Sequence, residues 1–450
     1  MMIASPEPPQ FRQIWLILAA VAVTGFGLAG FVLSFDRNAW LESEALRAGV
    51  IYCATLTAVW VSLSLGKYRG DPFLLPIAGF LGGIGLIMAV RLGPDLSTRR
   101  GLEVPIGERQ LIFLCAGLLV LWAVALFSPD PAMFSRYRYS ILALGLALLA
   151  VTAVLGTEIY GARLWLRIGP IQIQSAEIVK LALVVFLATY LADNLELVGS
   201  RWRVWRLSLP PIPYLAPMVA MWGLCIAALI RLNDLGTALL FFSLFMIMLF
   251  AANGSAVQLA VGFMAFLAAF GVAYQFVPRV GVRVDNWIDP WSDPFLSGYQ
   301  QIQAEYAMAS GGLLGVGIGS GAPWTIPAVQ TDYIIAAIGE ELGFWAVFTI
   351  VVAFAVLAAR GMLVGSEAPT PYLRLLAIGL TSSLVVQSVI IVAGVLRLMP
   401  LTGVTMPFVS YGGSSLLVTF AATGLLMHIS HLSARHGGTR SSLDGGAGKQ

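Results

Sequence analysis

The chain has 450 residues, of which 58% are hydrophobic and 11% are charged, and its formal net charge is +3. A soluble globular domain carries about 25% charged residues, so this composition excludes an ordinary soluble protein and indicates that most of the chain lies in lipid. The small net charge and the lack of a basic tract argue against a nucleic-acid partner. The three histidines lie near the C-terminus, which excludes a histidine base or a zinc site in the body of the protein.

Apolar stretches long enough to cross a bilayer, about 20 residues each, recur along the whole chain. In chain order they are 15–35, 49–66, 72–90, 110–129, 139–157, 176–192, 213–230, the two halves of 235–278, 333–359, 372–396 and 411–431. Asn253-Gly254-Ser255 divides the double-length stretch into two helices joined by a tight turn. Because the stretches lack the alternation of a barrel, the sequence predicts an all-α polytopic membrane protein of about twelve transmembrane helices.

An even number of spans puts both termini on the same side of the membrane. Lys and Arg divide almost evenly between the two sides, whereas most acidic loop residues fall on one side. We therefore expect a multi-pass protein with both termini in the cytoplasm. The predicted organisation is a five-helix N-terminal membrane segment at 1–155, a core at 156–432 and a disordered cytoplasmic tail at 433–450.

The segment 279–332, between the ninth and tenth predicted helices, is a candidate functional loop. Loops of this length are usually functional or disordered, and this one is rich in Trp, Tyr, Gly and Pro, which indicates an ordered loop near the membrane surface. It contains three aspartates beside two tryptophans: Asp285, Asp289, Asp293, Trp287 and Trp291. Aromatic rings beside carboxylates are common in sugar-handling sites and in interface loops, and the residues alone leave both open.

Charged residues inside two of the predicted helices are further candidates. Glu177 and Lys180 are spaced i, i+3 and share a helix face. A charge at membrane depth is costly unless it is paired or hydrated, so the two either neutralise each other or form a polar cavity wall that faces a substrate. By the same reasoning, Glu340 and Glu341 should face a cavity or partner groups.

Two polar stretches at predicted helix ends suit an anionic ligand. Arg163 precedes a helix, where its planar guanidinium could pair with a phosphate group or merely anchor the interface beside Trp165. The stretch Ser410-Tyr411-Gly412-Gly413 opens a helix, and its glycines allow a close backbone approach to an anion. It fits a packing turn equally well. Asp234, at the start of the eighth helix, is best explained as a cap of the backbone N–H groups.

Four regions, taken together and in this order, closely resemble the bacterial SEDS family (FtsW, RodA and SpoVE). They are Gly161-Ala162-Arg163-Leu164-Trp165 with Gln174-Ser175-Ala176-Glu177; Asn233-Asp234-Leu235-Gly236-Thr237; Asp293-Pro294-Phe295 with Gly298-Tyr299-Gln300, Gln330-Thr331-Asp332-Tyr333 and Gly339-Glu340-Glu341-Leu342-Gly343; and Pro400-Leu401-Thr402-Gly403 with Ser410-Tyr411-Gly412-Gly413. The family core has fewer helices than this chain, so the resemblance implies about two additional helices within 1–155.

The resemblance implies a peptidoglycan glycosyltransferase that polymerises lipid II into glycan strands at the outer face of the bacterial cytoplasmic membrane, in cell division or cell-shape maintenance. It also implies lipid II as the substrate and a class B penicillin-binding protein, a transpeptidase, as the partner. The alternatives are a lipid II flippase and, less favoured, a proton-coupled secondary transporter, for which the expected inverted repeat is not seen.

The resemblance also assigns roles to residues. Asp293 is the expected catalytic residue, because Asp-Pro-Phe followed by Gly298-Tyr299-Gln300 best matches the family motif, and its carboxylate would accept the proton of the acceptor hydroxyl. A divalent cation, Mg²⁺ or Mn²⁺, is left open as a cofactor with Asp293 as its candidate ligand. We expect Arg163, Glu177 and Lys180 to line one cavity with the 410–415 turn. The expected substrate-binding residues are Arg163, Glu177, Lys180, Glu340, Arg397, Ser410, Tyr411, Gly412 and Gly413.

Overall fold

The structure is a computed structural model that describes residues 9–35, 44–100, 105–159, 162–169, 171–195, 202–204, 207–209 and 212–444. The helices, in chain order, are α1 (Pro9–Phe35), α2 (Glu44–Leu65), α3 (Leu74–Arg100), α4 (Ile106–Phe127), α5 (Pro131–Arg136), α6 (Arg138–Leu155), α7 (Ser175–Asp193), α8 (Ile212–Arg231), α9 (Leu235–Asn253), α10 (Ala256–Phe276), α11 (Pro278–Ile288), α12 (Tyr299–Gly311), α13 (Ile334–Ser366), α14 (Pro371–Val395) and α15 (Gly413–Asp444). Each apolar stretch predicted from the sequence overlaps one of these helices.

Ten helices of the described residues are long and apolar enough to cross a membrane: α2, α3, α4, α6, α7, α9, α10, α13, α14 and α15. Helices α1 and α8 contain shorter apolar stretches, Gln13–Ala29 and Ala216–Arg231. The helical polytopic fold is therefore confirmed, whereas the number of about twelve spans stays a prediction.

Helices α3, α7, α14 and α15 form the interior of the bundle. Most of the residues in their spanning segments are buried, whereas α10 is exposed along its length. Helix α14 packs on α7, α9 and α13, and α15 packs on α4. Small residues allow the closest approaches, as is usual between helices in lipid. A Cβ on Gly85 of α3 would lie 2.6 Å from the carbonyl oxygen of Val409, so the polypeptide before α15 lies directly against α3.

Five short strands within the described residues qualify the all-α expectation. Strands β1 (Thr157–Ile159), β2 (Ala162–Ile168) and β3 (Ile171–Gln174) form an antiparallel sheet between α6 and α7, and β4 (Trp202–Val204) pairs with β5 (Leu207–Leu209) before α8. Alternating apolar and polar residues in Ile171-Gln172-Ile173-Gln174 favour a strand, but the segment is too short to stand out from its apolar neighbours. Gly161 and Pro170 of the first motif lie outside the described residues.

The segment between α10 and α13 contains α11, a 3₁₀ helix at Pro290–Ser292, α12 and a second 3₁₀ helix at Pro323–Thr325. It is joined to a break in α13, where Gly343 is non-helical (φ 78°, ψ −177°). The freed carbonyl groups of Glu340 and Glu341 accept the N–H groups of Val316 (2.9 Å) and Gly317 (3.0 Å). The segment between α10 and α13 thereby supplies hydrogen-bond donors to carbonyl groups of α13 that the break leaves without a partner in the helix.

At the C-terminus, α15 continues to Asp444, whereas the sequence analysis placed the start of a disordered tail at 433. Residues 445–450 lie outside the described residues.

Candidate functional site

Asp293 follows the 3₁₀ helix Pro290–Ser292 and is partly exposed. Its carboxylate accepts hydrogen bonds from the backbone N–H (3.1 Å) and the hydroxyl (2.9 Å) of Ser297. These bonds, the backbone one first, lower the pKa of Asp293. The carboxylate is therefore ionised at neutral pH, held in one orientation and weakly basic.

The turn that carries Asp293 requires glycine at position 298. A Cβ on Gly298 would lie 2.0 Å from the carbonyl oxygen of Pro290, and the Gly298 N–H donates to the carbonyl oxygen of Asp293 at 3.0 Å. Gly298 also caps the start of α12. The two motif portions on either side of Ser297 therefore close one turn around the Asp293 carboxylate.

The other two aspartates of this segment have different partners. Asp289 accepts the backbone N–H of Trp291 at 3.0 Å and caps the 3₁₀ helix. Asp285 accepts a hydrogen bond from the Tyr274 hydroxyl at 3.1 Å. Neither hydrogen bond involves the Asp293 turn, so the structure separates three aspartates that look alike in sequence.

A cavity of about 420 Å³ opens beside the Asp293 turn. Its volume lies in the lower part of the range for small-molecule sites, about 300–1,000 Å³. Ser297, which holds the Asp293 carboxylate, lies in the cavity wall, so Asp293 is joined to the cavity through Ser297. Other lining residues come from α11, α12, the segment before α13 and the segment after α14, and include Arg283, Trp287, Gln300, Asp332 and Gly403.

Two opposite charges face each other in this cavity. A Cβ on Gly403 would lie 3.5 Å from both Arg283 Nη2 and Asp332 Oδ2. Burial lowers the pKa of Arg283 and raises the pKa of Asp332 to about 6, although the attraction between the two groups opposes both shifts. Arg283 Nη1 donates to the carbonyl oxygen of Thr402 at 3.0 Å, which fixes the guanidinium.

Glu177 and Lys180 form a buried network between α7 and α14. Lys180 Nζ donates to Glu177 Oε2 and to Gln387 Oε1, both at 2.6 Å. Gln387 Nε2 donates to the carbonyl oxygen of Thr405 at 2.7 Å. The sequence left open a mutual ion pair or a polar cavity wall; in the structure the two residues pair with each other, and Gln387 links the pair to the polypeptide that leads into the 410–415 turn.

Residues of the 410–415 turn connect several elements. The Ser410 hydroxyl donates to the carbonyl oxygen of Thr331 at 2.6 Å, and the Tyr411 N–H donates to that of Gln330 at 2.8 Å. The turn therefore holds the residues immediately before Asp332. Gly413 packs on a ring, since a Cβ there would lie 2.4 Å from Phe113 Cζ, and a Cβ on Gly412 would make ordinary contacts.

Arg397 braces the loop through backbone groups. Its side chain donates to the carbonyl oxygens of Trp287 (2.8 Å) and Ile288 (2.7 Å) at the end of α11, and to the Glu305 carboxylate (3.3 Å). The Arg397 carbonyl oxygen accepts the Trp287 indole N–H at 3.0 Å. Its guanidinium is thus committed to positioning Trp287 at the cavity.

Arg163 lies apart from these groups on β2. Its side chain is about half exposed and pairs with Glu158 of β1 at 3.2 Å. The sheet is nevertheless tied to the turn, because the Gln174 N–H donates to the Ser414 hydroxyl at 3.0 Å. The structure thus connects Glu177, Lys180 and the turn through hydrogen bonds, and it places the Arg163 guanidinium at the surface.

Glu340 and Glu341 hold the loop to the bundle. Glu340 Oε1 accepts the backbone N–H of Ala322 at 2.8 Å. Glu341 Oε1 accepts from Arg91 Nε of α3 at 2.9 Å, and Arg91 also donates to the carbonyl oxygen of Gly321 at 3.3 Å. Arg91 is 2% exposed, and the second carboxylate oxygens of both glutamates are buried without a partner.

Comparison with known proteins identifies the chain. A family model described as "Cell cycle protein" (FTSW_RODA_SPOVE) matches residues 73–435, which is most of the chain. The chain belongs to the FtsW/RodA/SpoVE family. The match begins with α3, so α1 and α2 precede it.

Individual FtsW/RodA/SpoVE proteins are similar over most of their length. The peptidoglycan glycosyltransferase RodA of Mycobacterium leprae (strain TN) is 34% identical over 436 residues, covering 96% of this chain and 93% of that protein. A chain from a peptidoglycan synthase complex, solved to explain the coordination of polymerization and crosslinking, has a TM-score of 0.66 at 27% identity, with 81% and 98% coverage. The Thermus thermophilus rod shape determining protein RodA has a TM-score of 0.56 at 26% identity, with 81% and 97% coverage.

No role was predicted from the sequence for three residues of this FtsW/RodA/SpoVE site, Arg91, Arg283 and Gln387. A fourth, Asp332, was quoted in a motif without a role. Arg91 is the first charge after the apolar run 72–90, a signal that could have identified it, because charges at membrane depth mark functional or paired sites. Arg283 and Gln387 carry no comparable signal, since the Thr402 carbonyl group that fixes Arg283 and the Lys180 that binds Gln387 each lie more than 100 positions away.

Proposed function

We propose that this family member polymerises lipid II into peptidoglycan glycan strands at the outer face of the bacterial cytoplasmic membrane. The observation that carries the proposal is the ionised Asp293 carboxylate, fixed by a serine that lines a cavity, Ser297, in a membrane-embedded member of this family. The relatives named peptidoglycan glycosyltransferase support the reaction type.

In the proposed reaction, Asp293 accepts a hydrogen bond from the acceptor hydroxyl and takes its proton as the glycosidic bond forms. The bond between the donor sugar and its diphosphate breaks, and the diphosphate leaves with the electron pair. Because the pKa of Asp293 is lowered, its charge orients the hydroxyl from the start, and the proton moves late.

The leaving diphosphate needs a positive charge nearby. The three candidate side chains, Lys180, Arg397 and Arg163, differ in how strongly they are held by protein groups. Lys180 and Arg397 are committed to Glu177, Gln387 and loop carbonyl groups. Arg163 is exposed, and an exposed ion pair such as the one with Glu158 is worth about 0–1 kcal/mol. We therefore propose that Arg163 exchanges Glu158 for the diphosphate.

A divalent cation could bind at Asp293 only if oxygen atoms of the substrate supplied most of its ligands. Among the described residues, no three His, Cys, Asp or Glu side chains come together as a metal-binding group. Asp293 would supply one carboxylate ligand, and a cation there would add positive charge near the leaving diphosphate. The roles given to Asp293 and Arg163 above do not depend on it.

The proposal is tested by incubating the purified protein with lipid II and resolving the products by gel electrophoresis, in Mg²⁺ and in EDTA. We expect glycan strands in Mg²⁺, and loss of product in EDTA would assign a role to the cation. Transfer of lipid II between leaflets of proteoliposomes without any polymer would favour the flippase alternative instead. The absence of both activities would contradict the proposal.

We further propose that a class B penicillin-binding protein crosslinks the strands that this chain makes. The similarity to a chain of a peptidoglycan synthase complex supports a partner, and none of the described elements forms a soluble catalytic domain. Addition of the partner to the assay should leave strand formation intact and add crosslinks.

The proposed topology places the Asp293 loop outside the cell and both termini in the cytoplasm. Phe295 is 86% exposed, so a Phe295→Cys variant should react with a membrane-impermeant maleimide in intact cells. Ser366→Cys, at the C-terminal end of α13, should react only after permeabilisation. The reverse pattern would invert the topology, and the parent protein controls for the three native cysteines.

A further inference from the structure

The cavity beside Asp293 has polar walls that are already fixed by protein hydrogen bonds. Gln300 Nε2 donates to the carbonyl oxygen of Pro327 at 2.7 Å, and the Tyr333 hydroxyl donates to Gln301 Oε1 at 3.1 Å. The Trp287 indole is anchored by Arg397. A ligand would therefore meet a preformed aromatic and amide surface, which lowers the cost of binding.

The charges of the cavity select a neutral ligand. Among the described lining residues, Arg283 is the only cation, and Asp332 lies opposite. The carboxyl group of Asp234, at the start of α9, also acts on both groups. Because the one cation of the cavity is opposed by a carboxylate, the cavity offers little attraction for a diphosphate.

Arg283 and Asp332 have complementary hydrogen-bonding capacities. The guanidinium Nη2 can donate and the carboxylate Oδ2 can accept, and both border the space beside Gly403, each 3.5 Å from the position that a Cβ would take there. Sugar hydroxyl groups both accept and donate, so one ring could satisfy the two at once. Gly403 has φ +73° and no side chain, which keeps this space open.

We infer that this cavity is a saccharide subsite, in which Arg283 and Asp332 hold the hydroxyl groups of one N-acetylhexosamine unit against the Trp287 and Gln300 wall. The identity of the sugar rests on the proposed function. The subsite places the bound ring next to Ser297, whose hydroxyl holds the Asp293 carboxylate. Arg283 and Asp332 are positioning residues: they orient the sugar and leave the proton transfer to Asp293.

Direct binding of N,N′-diacetylchitobiose, a neutral disaccharide, tests the subsite without reference to activity. Saturation-transfer NMR on the purified full-length protein should show contact with the sugar. Asp332→Asn and Arg283→Gln should each weaken binding about tenfold or more, because each removes a hydrogen bond to a charged group. Asp285→Asn is the matched control, since Asp285 is an exposed aspartate of α11 bonded to Tyr274, and it should bind as the parent does.

The pH dependence of chitobiose binding tests whether Asp332 contacts the sugar. The groups that act on Asp332 are Arg283 of α11, Asp234 before α9 and the adjacent Tyr333, with Arg279 and Glu305 one contact further out. Since the pKa of Asp332 is about 6, its charged carboxylate, the stronger acceptor, is present above that pH and is lost below it. Chitobiose affinity should therefore fall between pH 7 and pH 5, and Asp332→Asn should flatten the profile.

Kinetics and folding controls complete the test. With lipid II, Asp332→Asn and Arg283→Gln should raise KM about tenfold with a smaller change in kcat, and Arg283→Lys should recover part of the loss. Each variant is checked for monodispersity in detergent. If Arg283→Gln is misfolded, the Arg283→Lys and Asp332→Asn results decide.

The two proposals fail in distinguishable ways. Polymerisation by the parent with unchanged chitobiose binding in both variants would overturn the subsite and leave the proposed function standing. Asp332-dependent chitobiose binding by a protein that makes no strands would overturn the proposed function and leave the subsite standing. Displacement of chitobiose by inorganic pyrophosphate at equal concentration would also overturn the inference, because it would show a diphosphate site.

Discussion

Replacing Asp293 by asparagine is expected to reduce lipid II polymerisation by about 10²–10⁴-fold, the usual cost of removing a general base. The substitution is nearly isosteric, and an amide oxygen can still accept the two Ser297 hydrogen bonds that hold the turn. The loop should therefore keep its fold while the charge and the basic group are lost. Strand formation by purified protein, measured as initial rate per mole of enzyme, checks this result.

Asp289→Asn is the control for the Asp293 prediction. Asp289 caps the neighbouring 3₁₀ helix through Trp291, and an asparagine is also a good cap, so activity should stay within a few-fold of the parent. Near-normal activity of Asp293→Asn combined with an inactive Asp289→Asn would show that the catalytic role belongs to the other carboxylate.

The second large effect is expected on stability, at Arg91. Replacement by methionine leaves the Glu341 carboxylate buried and unpaired, which typically costs about 3–5 kcal/mol. The thermal midpoint of the detergent-solubilised protein should fall markedly. Arg99→Met on the same helix is the matched control: Arg99 is 57% exposed and approaches Asp95 at 3.6 Å, so its loss should change the midpoint little.

A double variant separates the ion pair from general damage to α3. Arg91→Met combined with Glu341→Gln removes both charges, and its destabilisation should be clearly smaller than the sum of the two single effects. If the two effects simply add, the contact between Arg91 and Glu341 does not stabilise the protein, and the loss in Arg91→Met has another source.

The helices could be predicted from the sequence because hydropathy alone determines which segments cross a membrane. The apolar runs overlap the observed helices, and Asn253-Gly254-Ser255 forms the expected turn, with Gly254 at φ +66°. The sheet before α7 was missed because its strands are short. Helix α3 extends to Arg100, beyond the uncharged run, because Arg91 and Asp95 pair with each other and so lower the cost of continuing the helix.

The site was predictable only where a local motif carries it. The Asp293 turn follows from Asp-Pro-Phe and Gly298, and the capping role of Asp234 is confirmed by its hydrogen bond to the Thr237 N–H. Arg397 was proposed to bind substrate, yet its contacts are with the carbonyl groups at the end of α11. Such assignments depend on contacts between residues more than 100 positions apart, and those are invisible to spacing within one segment.

The hydrogen bonds between the loop and the break in α13 constrain one part of the loop, the part that contains Val316 and Gly317. Val316 and Gly317 supply hydrogen bonds that a spanning helix would otherwise make itself, so their release would leave the carbonyl groups of Glu340 and Glu341 unpaired in a region where water is scarce. The part of the loop around Val316 and Gly317 must therefore unfold together with α13. Among the described residues, no backbone hydrogen bond joins the Asp293 turn to α13, so this turn can rearrange without breaking the backbone pairing of a spanning helix.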